Sequence, residues 1–246
     1  MIATTEDRFL GGRVLVRQPV DGFRAGLDAV MLAAAVPARP GETALELGAG
    51  AGTASLCLVH RVGLISVTGI EIDPALVELA TANSSANGMS VCATFAAGDA
   101  LQPPGPLRRP FGHVFCNPPF HGEGASSPDA ARAAALQDGG RLTDWLTGFK
   151  RVIAGGTFTA ILRADRLGEA LAALPERGVT VFPLWPRANA PAKRVIVQVR
   201  QGSRAPLAIL PGLVLHAADG RYTPQADAVL RDGAALTLRP AQGEGG

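Results

Sequence analysis

Apolar residues along this chain fall into short runs that switch between two periods. Residues 8–18, "RFLGGRVLVRQ", set short apolar strands around Gly11-Gly12 and predict a β-hairpin. "GLDAVMLAAAV" takes helical spacing and predicts a helix over 27–37, with Asp28 at its start, where a carboxylate caps orphan N–H groups. From Thr43 the two periods alternate regularly. "TALELGAGAG" predicts a short apolar strand running into glycines, and "TASLCLVHRV" a helix. "LISVTGIEID" predicts a β-branched strand ending in acids, and "PALVELATANSSANG" a helix with Pro74 in its first turn and Gly88 past its end. "VCATFAAGDA" and "HVFCNPP" predict a third and a fourth strand. "LTDWLTGFKRVIAGG" predicts a helix that starts at Thr143 or Asp144 and stops at Gly155-Gly156. "TFTAILRA" predicts a fifth strand, "LGEALAALPERG" a helix, and "VTVFPLW" and "KRVIVQVRQG" two more strands. Such alternation predicts an α/β fold built on a mostly parallel, seven-stranded sheet with helices on both faces. The hairpin and first helix form a preface over 1–41. Residues 206–234 are less regular, with room for one short strand and one short helix. One domain is expected over 1–240, with a disordered tail at 241–246.

The turn after the first predicted parallel strand carries chemistry. Glu46 ends that strand and Gly48, Ala49, Gly50 and Gly52 follow, so the backbone can approach a ligand at the head of the next helix. A dinucleotide fingerprint, GxGxxG, would need its third glycine one residue later, where Thr53 stands. The GxGxG spacing behind an acid resembles the S-adenosylmethionine (SAM) loop of Rossmann-like methyltransferases instead. Backbone amides there can serve the carboxylate of the methionine part, and Glu46 can orient its ammonium end. Glu71, followed by Ile72, closes the second strand, where a carboxylate can grip two ribose hydroxyls. Asp73 precedes Pro74 and reads as a helix cap. Asp99 closes the third strand, with Ala100 beside it, and can accept from an adenine amino group. Three acids at the carboxyl ends of successive parallel strands lie where open α/β sheets bind ligands.

The fourth strand stops abruptly at Asn117-Pro118-Pro119-Phe120. Two prolines cannot continue a central strand. They can hold the Asn117 side-chain oxygen and the Pro118 carbonyl in advance as two acceptors for one planar amino group. Phe120 offers a face on which a base or an amide can stack. His121 reads as a solvated loop histidine and Cys116 as a buried thiol on the opposite face of the strand.

Composition narrows the picture modestly. A chain of 246 residues with 47% hydrophobic content can fill a core, and a formal net charge of +2 does not by itself mark a nucleic-acid binder. The three cysteines include no CxxC pair, so neither a zinc site nor a disulfide framework is expected, and no metal is assigned. The polar N-terminus lacks a signal-type apolar segment, and no apolar run approaches the roughly 18 residues of a membrane span. A cytoplasmic location follows as the expectation, with monomer and homodimer both open.

The "NPPF" corner together with the glycine loop resembles the SAM-dependent (D/N)PP(Y/F) methyltransferases, which act on adenine N6, guanine N2, cytosine N4 or glutamine N5. "GFRAGLDAVMLAAAV" with the preceding hairpin, "KRVIVQVRQG" and "YTPQA" is similar to the bacterial tRNA1(Val) adenine-37 N6-methyltransferase family over about residues 6–240. The resemblance implies a Rossmann-like fold, SAM as cofactor, Asn117, Pro118 and Phe120 at the reacting amino group, and a Gly26–Asp28 segment closing over the methionine end. It also implies an RNA substrate, tRNA above all. Arg8, Arg13, Arg17 and Arg24 near the N-terminus, Arg132 after the corner, and Arg187, Lys193 and Arg194 later could then form a phosphate-binding rim. Phe120 replaces the commoner tyrosine, and the loop after the corner holds just two basic residues, Arg132 and Arg141. Protein glutamine N5 and rRNA guanine N2 remain alternative acceptors. Glutamine methyltransferases of this group usually carry a helical N-terminal domain, so the short hairpin and single helix here argue against glutamine, and the intact corner argues against a non-catalytic SAM- or RNA-binding module.

Overall fold

The computed structural model describes residues 3–119 and 142–238. Its N-terminal hairpin pairs β1 (Thr4–Phe9) with β2 (Val14–Pro19), so pairing starts four residues earlier than the apolar pattern predicts. The polar stretch Thr4–Asp7 is an exposed strand held by the backbone ladder rather than by burial. Helix α1 (Leu27–Ala35) follows, buried along almost its whole length because its small alanines allow close packing. The alternating elements are β3 (Thr43–Leu47), α2 (Thr53–Val62), β4 (Ser66–Glu71), α3 (Pro74–Ala86), β5 (Ala93–Ala97) and β6 (Phe111–Cys116). After residue 141 come α4 (Leu142–Leu146), β7 (Val152–Arg163), α5 (Leu167–Ala173), β8 (Val179–Arg187) and β9 (Arg194–Arg200). The irregular end supplies β10 (Ala208–Ile209), β11 (Leu213–His216) and α6 (Pro224–Asp232).

The strands β3 to β11 form one nine-stranded sheet in the order β10-β8-β9-β7-β6-β3-β4-β5, with β11 also paired to β8. The two strands beyond the expected seven are the short β10 and β11 at its edge. β9 runs antiparallel to both neighbours, and the other pairings are parallel. One core packs α1, α2, α6 and the hairpin against one face through Val14, Val16, Met31, Leu56 and Ile196. The other packs α4 and α5 through Leu47, Trp145, Leu146 and Phe158. Each full burial of such a side chain contributes roughly 1.5–3 kcal/mol.

Gly155 and Gly156 do not end a helix. Helical backbone stops at Arg151 after a 3-10 turn, and both glycines lie inside β7. The β6–β7 register jumps there, from Phe111↔Val152 to His113↔Thr157. A Cβ on Gly156 would stand 2.2 Å from the Gly112 carbonyl oxygen. Close approach of two strands, not helix termination, requires the glycine.

The hairpin docks on α3 through two asparagines. Asn87 accepts from the Leu15 N–H and donates to the Leu15 carbonyl, while Asn83 does the same at Arg17 and also donates to the Ala51 carbonyl at 3.0 Å. Asn83 thus joins the preface to the glycine loop.

Candidate active site

β3 lies between β4 and β6, and the chain leaves β3 toward β4 on one side and reaches β6 on the other. This reversal of strand order opens a crevice at the carboxyl ends of the strands. The glycine loop, the three acids and the Asn117 corner all emerge along that edge.

Glu71, at the end of β4, is buried and pre-ordered. Oε2 accepts the Gly50 N–H at 2.8 Å and Oε1 the Asp73 N–H at 3.1 Å. Each oxygen keeps a lone pair for a hydroxyl. The next residue, Ile72, is 58% exposed, an apolar surface beside the crevice. Asp73 caps α3 through the Ala75 N–H at 2.9 Å, as expected from Pro74. Asp99 accepts the Leu101 N–H on Oδ1 at 2.8 Å, and Ala100 is buried behind it. Glu46 is 4% exposed and its Oε2 accepts both the N–H and the hydroxyl of Ser55 in α2. Burial pushes its carboxyl up to about 8, with Glu71 nearby adding to the rise against the lowering effect of Ser55.

The glycine loop differs from expectation in one respect. Gly48 and Ala49 donate their N–H groups to the Ile70 carbonyl, Gly50 to Glu71, and Gly52 to the Ala49 carbonyl. Four of the amides expected to serve a ligand carboxylate are therefore engaged within the fold. These four positions contribute clearance rather than donors. At Gly48, with φ of 72°, a Cβ would stand 2.9 Å from the Trp145 ring. Trp145 is buried on α4, so α4 braces the loop.

Asn117 follows directly on β6, whose Cys116 pairs with Leu47 of β3 and Ala160 of β7. Its Oδ1 is buried with no hydrogen-bond partner among the described residues. Buried polar atoms are nearly always paired, so an orphaned acceptor here points to a donor supplied by a ligand. Pro118 is buried and Pro119 half-buried; they share a small cavity with Leu142, Leu162, Arg163 and Arg166. Phe120, His121, Arg132 and Arg141 lie outside the described residues. The Cys116 thiol is fully buried and pushed far above its usual range by that burial, which leaves it inert as a nucleophile. The Thr53 hydroxyl in the first turn of α2 is a second buried group without a partner among the described residues.

Asp28 does not cap α1. Gly26 holds the N-cap position, and the Asp28 carboxylate accepts from Arg194 Nε at 2.8 Å. It thereby ties α1 to the start of β9, three strands from β3.

The expected basic rim divides. Arg24 is held inside the preface by Asp7, the Thr5 hydroxyl and the Pro19 carbonyl. Arg13 bonds the Arg231 carbonyl at 3.0 Å and lies close enough to His60, near the end of α2, to lower that imidazole's pKa after burial has done so. Helix α2 runs back from the crevice, so Arg13 sits at the opposite end of the sheet. Arg8 is exposed next to the hairpin turn, and Arg17 is exposed on β2 with its backbone on Asn83. Lys193 and Arg194, at the start of β9, do lie on the crevice edge, as does Arg187 at the end of β8.

Residues 25–144 match the family model described as the methyltransferase small domain. The tRNA1(Val) (adenine(37)-N6)-methyltransferase of Dickeya chrysanthemi is 26% identical over 225 residues, covering 85% of this chain and 87% of that protein. Its namesake from Shewanella loihica is 30% identical over 161 residues, 63% of this chain and 66% of that protein. Among solved structures, a predicted O-methyltransferase of Agrobacterium tumefaciens superposes with a TM-score of 0.70 at 25% identity, covering 85% of this chain and 98% of its own.

Proposed function

The chain belongs to the methyltransferase small-domain family, and from that premise we propose that it methylates an exocyclic amino group with SAM, the acceptor being adenine N6 in tRNA. One observation carries the reading: the buried Asn117 Oδ1, without a partner among the described residues, next in the chain to the Pro118 carbonyl. Two fixed acceptors match the two N–H bonds of a planar –NH₂ group. Engaging both draws the nitrogen into one orientation, with its lone pair normal to the plane, and needs little rearrangement as the nitrogen turns toward the methyl. SAM, when bound, supplies an electrophilic methyl group. Glu71 suits its ribose diol, Asp99 and Ala100 its adenine, and Ile72 an apolar face of that ring. Glu46 suits its cationic end, and Gly48, Ala49, Gly50 and Gly52 keep the surface low enough for contact. Phe120 would stack on the acceptor ring.

The Agrobacterium likeness raises oxygen as an acceptor atom. A hydroxyl brings one donor and would leave one buried acceptor unpaired, at a cost of about 1–3 kcal/mol. Nitrogen is therefore favoured. A glutamine amide would satisfy the same two acceptors. Adenine in tRNA is preferred on the names of relatives that align over most of this chain. No helix among the described residues is long and apolar enough to cross a membrane, and a cytoplasmic setting fits a tRNA-modifying role. The purified protein with methyl-labelled SAM should label the tRNA fraction of a strain lacking the gene, and not its rRNA or protein. Label confined to protein would refute the RNA acceptor.

A further inference from the structure

The crevice edge of the sheet is polarised. Glu46, Glu71 and Asp99 close β3, β4 and β5 on one side of Asn117. On the other side, each of the next three strands, β7, β9 and β8, carries a cation there: Arg163 ends β7, Arg194 begins β9 with Lys193 just ahead, and Arg187 ends β8. Beyond β8, His216 ends β11 opposite Arg187. Its ring stacks on Tyr222 at 4.8 Å between centroids and 27° between planes, and its Nδ1 donates to the Pro186 carbonyl. Tyr222 is 37% exposed.

These groups are not equivalent. Arg194 is committed to Asp28. Arg187 and Lys193 are exposed and pair with no carboxylate among the described residues. Arg163 and Arg166 border the cavity that also contacts Pro118 and Pro119. Each holds a neighbouring carboxylate, Asp165 or Glu169, through Nε and Nη2, and its Nη1 has no partner among the described residues. These internal pairs keep the guanidinium groups in place and leave donors beside the corner.

We propose that the RNA strand flanking the acceptor base leaves the corner across the ends of β7, β9 and β8 to the His216–Tyr222 stack. Its phosphates meet Arg163, Arg166, Arg187 and Lys193, and one flanking base lies on Tyr222. Four strand spacings separate β6 from β11, on the order of 19 Å, a span for several nucleotides of single strand. Cations interspersed with an exposed aromatic face are the chemistry of single-stranded RNA recognition. An acidic peptide would use the cations but not the stack. The inference rests on the proposed RNA acceptor and extends it by direction and contact.

The test measures tRNA methylation kinetics, SAM affinity and the salt dependence of tRNA binding. The variants are Arg187→Ala/Lys193→Ala, Arg163→Ala/Arg166→Ala, Tyr222→Ala and Tyr222→Phe. As a control, Arg39→Ala removes an exposed cation ahead of β3, at the far end of the sheet. Each double variant should raise KM for tRNA about tenfold or more, with SAM affinity unchanged. Removing one phosphate-binding cation should make the salt slope shallower by about one. Tyr222→Ala should raise KM, and Tyr222→Phe should restore it. Arg39→Ala should match the unmodified protein. Wild-type KM and salt slope in both double variants would overturn the path while leaving the RNA acceptor standing. Failure of the unmodified protein to methylate any RNA would overturn both.

Discussion

Glu46 shows how burial decides the chemistry of a single residue. With its carboxyl pushed up from the ordinary 4.5 to about 8 by desolvation, it is mostly protonated at neutral pH. A cation placed next to it favours the ionised form, so cofactor binding should release a proton below pH 8. SAM affinity should then rise with pH between about 6 and 8, by up to about tenfold per unit, and level off above. Calorimetric titration across that range should show the rise in the native protein and a flat profile in Glu46→Gln; an equal rise in both would disprove the linkage. Folding obeys the same sign. Because the folded value lies above the unfolded one, the protonated carboxyl's contribution is complete below about 4.5 and is lost as pH climbs through about 8. At Glu71, two backbone N–H groups already hold the oxygens.

Between elements, the most consequential joint is Asn83. It binds the Arg17 backbone in both directions and the Ala51 carbonyl of the glycine loop. Asn83→Ala removes three hydrogen bonds and leaves buried backbone groups unpaired, a loss of about 2–4 kcal/mol. Urea unfolding should register that loss, together with weaker SAM binding from a loosened loop. A variant as stable as the native protein would show that packing, not the amide, docks the hairpin. Nothing in the spacing of "TANSSANG" announces this role, because a polar residue reads as solvated until its tertiary neighbour is known. Gly155-Gly156 shows the converse. A glycine pair after a helical stretch reads as a stop, yet the restraint comes from Gly112 on the adjacent strand. By contrast α2 begins and ends at the predicted residues, and α3 begins at Pro74 under the predicted Asp73 cap, because caps and prolines act locally.

At the scale of the whole molecule, sheet order puts three acids on one side of Asn117 and a row of cations on the other, the two halves proposed above for cofactor and acceptor. The alternation of elements made that order legible, and the acids Glu46, Glu71 and Asp99 stand at the strand ends the sequence predicted for them. The cation-bearing half was legible only in part: Arg187, Lys193 and Arg194 stood out, whereas Arg163, Arg166 and the His216–Tyr222 stack came together through β7 and β11 pairings. Arg13 and Arg24 read as part of the same rim, and their guanidinium groups bond within the fold, Arg13 to the end of α6 and Arg24 inside the preface. The central claim concerns the corner between the halves. Its most direct test is nucleoside mass spectrometry of tRNA, taken from a strain lacking the gene and incubated with SAM and either the native protein or Asn117→Ala. The native protein should produce N6-methyladenosine. Asn117→Ala should bind SAM with native affinity and form product about 10²-fold or more slowly. Native rates in Asn117→Ala, or a methylated product other than N6-methyladenosine, would contradict the account.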